Sequence, residues 1–156
     1  QFVTKGLGQF VTGSCVNLIL AIAAVIGGVW SGVAVAVLSP FCAYLLGIGP
    51  AFVQLVPCVA LGNAVYAVVF GLLVRRFLHS CRYPAAYAGM VLAAVLKFAA
   101  LYLVLVKLVA PAIVPAAKLP VVTASFTWPQ LVTAGIGGVL ACLLVPVIEK
   151  ALQKKN

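Results

Sequence analysis

LKFAALYLVLVK, residues 96–107, is apolar enough to lie in hydrocarbon, yet its second residue is Lys97. No other charge stands between Arg82 and Lys107. At 1.5 Å per helical residue, Lys97 falls roughly 20 Å along a helix that starts at Pro84, near the middle of a bilayer core about 30 Å thick. Insertion scales put the cost of such a residue at about 2.5–3.5 kcal/mol, so an amine at this depth is expected to have a partner. Gly89, Ala93, Lys97 and Ala100 share one helical stripe. Small residues mark faces where helices approach closely, so Lys97 is expected to point into the bundle and contact a ligand. The alternatives are snorkelling to an interface or pairing with carbonyl groups.

The rest of the chain supports the bilayer reading. Of 156 residues, 66% are hydrophobic and 7% charged, and the mean hydropathy is +1.30. A soluble domain carries about 25% charged residues, so this chain cannot cover its surface with polar groups. It reads as a single-domain, all-α integral membrane protein. The net charge of +9 arises because Glu149 is the only acid. The basic residues sit mostly at helix ends, which is a topological signal rather than a nucleic-acid-binding one.

The shortage of acids narrows the chemistry. A carboxylate pair for acid–base catalysis, an oxygen cage for magnesium or calcium, and a buried acidic proton relay are all excluded by composition. The five cysteines, at 15, 42, 58, 81 and 142, form no CxxC, and a single histidine cannot complete a usual zinc set. They read as small apolar packing residues. With no phosphate loop and no Ser-His-Asp pattern, neither ATP hydrolysis by this chain, nor another enzyme activity, nor a bound cofactor is expected.

Five apolar spans are expected, at 14–26, 30–48 (interrupted at Ser39-Pro40), 50–73, 85–109 and 129–148. The 75–82 link carries Arg75, Arg76 and Arg82, and the tail carries Lys150, Lys154 and Lys155, against Lys5 and Lys118 on the opposite side. The positive-inside rule then places the link and the C-terminus in the cytoplasm. That leaves Gln1 outside, so a preceding helix is expected to be absent, which would make six spans in all. Three external segments are expected to converge: 5–13, 47–50 and the long, proline-interrupted 110–128, whose length suits a lid or binding loop.

Intramembrane polar residues are the candidate substrate contacts. Asn63 lies roughly 20 Å below Pro50, at a depth similar to that of Lys97, and Tyr66 and Phe70 share its face. An interhelical hydrogen bond is the alternative role for Asn63. Gln54 is half a turn out of phase with Asn63, and both reach one pocket only if Pro57 distorts the helix. Asn17, Thr12 and Gln9 belong to the outer end of the first span, and Tyr44 to the outer half of the second. Trp128 and Tyr102 suit either an aromatic belt or a stacking role, while Lys107 can snorkel. Together these residues outline a positively charged cup open to the outside, floored by Lys97 and Asn63.

The stretch from QFVTG (9–13) to YAVVF (66–70), with its Gly-rich turns, the SPF break at 39–41 and the GIGP and ALGNA segments, resembles the substrate-binding S component of energy-coupling factor transporters. The likeness extends over essentially the whole chain apart from a first helix. It implies a subunit that captures a small vitamin or similar micronutrient from outside. Such a subunit docks on a membrane coupling subunit driven by two cytoplasmic ATPase subunits, then topples to release its cargo inward. The family's docking motif lies on that first helix. The lone intramembrane cation makes an anionic cargo the expectation. An autonomous secondary carrier or channel and a purely structural membrane subunit are the competing classes. A carrier would be expected to show an internal repeat, and none is evident.

Overall fold

The computed structural model describes residues 2–80 and 82–153, with side chains from Gly8 onward. Lys5, Cys81, Lys154 and Lys155, which entered the reading of topology and cysteines, lie outside the described side chains. Among the described residues all regular structure is helical. We number the helices α1 (Phe2–Ile26), α2 (Val29–Leu45), α3 (Val53–His79), α4 (Tyr83–Ile113), α5 (Leu119–Ser125) and α6 (Trp128–Gln153).

Four segments are long and apolar enough to cross a membrane: Gly8–Ile26, Val53–His79, Tyr83–Ile113 and Leu119–Gln153. The shorter α2 has 17 residues, about 26 Å of helix. The outward flanks are hydrocarbon-like. Val91, Leu92, Val95 and Leu96 on α4 are exposed, as are Leu140, Leu143, Leu144 and Val147 on α6. Soluble monomers rarely present apolar surface on this scale. The molecule is an all-α bundle with the surface of a multi-pass membrane protein.

Several boundaries differ from the sequence reading, each for a local reason. Residues 5–13 are helix rather than an external loop, because that segment holds no proline and its glycines do not stop α1. Gly13 instead supports a close crossing, where an added Cβ would stand 3.0 Å from Thr133 Cγ2. The Gly27-Gly28 turn ends α1 as expected: Gly28 takes φ +90°, a conformation that L side chains rarely adopt. Ser39-Pro40 does not interrupt α2, whose Pro40 is buried within the helix. The third span begins in a 3₁₀ turn, Val53–Leu55, and runs on past Arg75 and Arg76 to His79.

The fourth span carries through Pro111 and stops at Ile113. Val114 then turns extended (φ −92°, ψ 127°), as the residue before Pro115 must if it is to avoid the proline ring. The 110–128 segment is largely ordered as the end of α4 and the short helix α5. α6 starts at Trp128 with Pro129 in its first turn, where a missing N–H is harmless, and continues beyond Ile148 to Gln153.

The five long helices close into a ring in the order α1, α2, α3, α4, α6, with α6 returning against α1. One apolar core, including Leu20, Ala24, Tyr66, Phe70, Ala93, Ala94 and Ala141, fills most of the interior. A second core, built on Leu55, Cys58, Leu101, Leu105 and Val114, joins α3, α4 and the α5 region at one end. Lys97 lies on α4 between Ala94 of the first core and Leu101 of the second. Just beyond it, α4 becomes π-helical over Leu101–Val109, a local widening often found beside functional positions.

Candidate functional site

Lys97 points inward and is 2% exposed. Its Nζ donates to Asn17 Oδ1 at 2.6 Å and to Asn63 Oδ1 at 2.7 Å. It also stands 5.5 Å from the centroid of the Tyr66 ring, whose negative face attracts a cation. The amine thus ties α4 to α1 and α3. The sequence placed Lys97 and Asn63 at one depth, and the two now touch. The small-residue stripe explains the approach, since Gly89 and Ala93 on the same face are buried.

Each partner of Lys97 is itself held. Asn17 Nδ2 donates to Gly13 O at 2.9 Å and to Thr133 Oγ1 at 3.4 Å. Thr133 Oγ1 donates to Gln130 O at 3.2 Å, within α6. The Tyr66 hydroxyl donates to Ala134 O at 2.9 Å, while its ring packs 4.7 Å from Phe70. Four helices of the ring therefore contribute to one buried polar knot, and rotamers in such a network are fixed by their neighbours. One member, Thr133, and a buried neighbour in the chain, Ser14, escaped the sequence reading. Thr133 sits in TAGIGG, where the small neighbours were a usable signal of an inward face. Ser14 lies one turn from Asn17, and its Oγ is buried without a hydrogen-bond partner.

The unused hydrogen-bonding capacity of the knot consists mostly of donors. A lysine amine bearing three protons has one left after its two amide oxygens, and it has no acceptor. One turn from Asn17, the buried Ser14 hydroxyl is also free to donate. The chemistry complementary to such a set is an acceptor: a carboxylate, a phosphate or a carbonyl. The chain's one acid does not supply it, because Glu149 Oε1 is bonded to His79 Nε2 at 2.8 Å near the C-terminal ends of α3 and α6.

The other candidates lie elsewhere. Gln9 and Trp128 line a cavity of about 210 Å³ with Phe10, Val121, Ala124, Ser125 and Pro129, at the end of the bundle where α5 sits. There Gln9 Nε2 donates to Ser125 O at 2.8 Å, and Phe10 packs 5.6 Å from Trp128. Tyr44 lines a different cavity, about 400 Å³, around the α2–α3 turn with Leu45, Gly47, Gly49, Pro50 and Ala51. Thr12 and Gln54 are exposed, and neither is drawn into the knot. Gln54 sits in the 3₁₀ turn, so a kink at Pro57 does not bring it to Asn63. The single cup expected from the sequence is therefore a buried knot of Asn17, Asn63, Tyr66 and Lys97, with two separate cavities near the rim.

The rim contact gives a direct prediction. Gln9→Ala removes a tertiary hydrogen bond that holds the end of α5 against α1, an interaction of about 1 kcal/mol. Amide exchange over residues 119–125 should accelerate roughly fivefold in the variant. Unchanged exchange there would show that apolar packing alone seats α5.

Compared with protein-family models, curated proteins and solved structures, the chain matches none.

Proposed function

We propose that this chain is the membrane-embedded substrate-binding subunit of an importer of the energy-coupling factor type, taking a small anionic vitamin or other micronutrient from outside. On this reading it spans a bacterial plasma membrane with the basic end in the cytoplasm. It hands cargo to a membrane coupling subunit driven by two cytoplasmic ATPase subunits. The observation that carries the reading is the Lys97 amine, buried mid-helix between two asparagine oxygens in a chain whose only acid is engaged elsewhere. Cargo supplies the missing negative group. Its carboxylate or phosphate replaces an amide oxygen on Lys97, and the released asparagine turns its Nδ2 toward the same group. In a low-dielectric interior such bonds are stronger than in water.

The test is to identify small molecules that co-purify with the detergent-solubilised protein and to measure their binding to Lys97→Met. Wild type is expected to retain an anionic molecule that the variant loses by at least tenfold. Equal retention by Lys97→Met and Lys97→Ala would remove the cation from recognition. Uptake into vesicles lacking the coupling subunit and ATPases would point to an autonomous carrier instead.

A second reading has its own observation. Lys97 is almost fully buried and already has two short bonds, so the knot can serve solely as a fastener between helices. On that reading no small molecule co-purifies, and the variant changes stability alone.

A further inference from the structure

The end of the bundle opposite α5 carries more cations than acids. α1 and α3 finish there, and α2 and α4 begin there. Arg75 and Arg76 lie in the last turns of α3, and Arg82 immediately precedes α4. The connection is tight: Ser80 N donates to Arg76 O at 3.2 Å and Arg82 N to Phe77 O at 2.9 Å. Three arginines are thereby brought to one turn of the chain. Glu149, the one acid in the sequence, has its Oε1 bonded to His79.

The surface next to this cluster is apolar. Leu72 is 58% and Leu73 36% exposed, in the π-helical turn Phe70–Val74 that leads directly into Arg75 and Arg76. Trp30 is 84% exposed at the start of α2, and Tyr83 is 45% exposed at the start of α4. Arg75 reaches the α1–α2 turn, with its Nη1 3.7 Å from where a Cβ on Gly28 would stand. Aromatic residues at helix ends, cations beside them and hydrocarbon-facing leucines one turn deeper match the layers of a lipid leaflet from headgroup to acyl chain.

We propose that this corner binds an anionic phospholipid, with Arg76 and Arg82 holding the headgroup phosphate and the Leu72–Leu73 flank taking an acyl chain. Arg75 sets the positive field over the α1–α2 turn. The proposal rests on the membrane-spanning reading and is independent of the cargo.

Native mass spectrometry of the purified protein with added phosphatidylglycerol or phosphatidylcholine tests it. Wild type is expected to retain phosphatidylglycerol preferentially. Arg76→Gln and Arg82→Gln should each weaken that retention roughly fivefold, while Lys107→Gln, at the other end, leaves it unchanged. Thermal melting confirms that each variant is folded. Equal retention of the two lipids, or full retention in the Arg76→Gln, Arg82→Gln double variant, overturns the proposal; the second result would also be expected if the arginines served an acidic partner protein.

Discussion

Asn17→Leu is expected to destabilise the purified protein by about 1.5–3 kcal/mol, and to do so more than Lys97→Met. Asn17 is the most connected member of the knot, accepting from Lys97 and donating to Gly13 and Thr133. Leucine strips a short bond from the buried amine and leaves it with Asn63 alone. Lys97→Met instead removes the group that needed compensation. Replacing a buried charge by an apolar residue of similar volume is often neutral or stabilising, whereas removing its partner is not. The double variant Asn17→Leu, Lys97→Met should therefore recover part of the loss, because it no longer holds a buried amine in need of an acceptor. Thermal melting in detergent of the two single variants and the double variant reads the coupling directly. Strictly additive losses would mean that the 2.6 Å contact contributes nothing to the bundle.

The other large effect is expected at Gly137. A Cβ there would stand 2.7 Å from Ser14 O and 2.8 Å from Leu18 N, both backbone atoms of α1. Backbone cannot swing aside as a side chain does, so Gly137→Ala forces α1 off α6. Overpacking of this kind costs about 1–3 kcal/mol. The displaced segment carries Asn17, whose own Cβ is 2.7 Å from the same position, so the variant should also lose any cargo held at Lys97. Gly138 is the control. Its added methyl meets chiefly the flexible Met90 side chain, along with the Tyr66 hydroxyl, and methionine adapts readily. Gly138→Ala should lower the melting temperature less than Gly137→Ala, and an inverted order would remove the α1–α6 crossing as the determinant of Asn17's position.

Parts of this architecture were legible residue by residue. Gly27-Gly28 announced the first reversal, and Pro129 the start of the last helix. The stripe of Gly89 and Ala93 beside Lys97 announced an inward face. Asn63 and Lys97 could be matched because depth along a straight helix follows from residue count. Gln54 and Thr12 were misplaced because count fixes depth but not azimuth once a 3₁₀ turn or a continuous helix replaces the expected kink or loop. Thr133 was missed because a hydroxyl near a helix start looks no different from a solvated one until α1 is laid across it.

The sequence by itself determined that the chain is a helical bundle for a bilayer and that a lone cation sits in its middle. Hydropathy, proline position and residue count are local quantities, and they survive without a partner helix. Only the tertiary structure decided what that cation meets. Which amide oxygens face Lys97, and that Glu149 is spent on His79, depend on how four or more helices rotate about their axes as they close into a ring. That rotation is set by small-residue contacts between segments over a hundred positions apart, such as Gly13 with Thr133, and no local pattern encodes it.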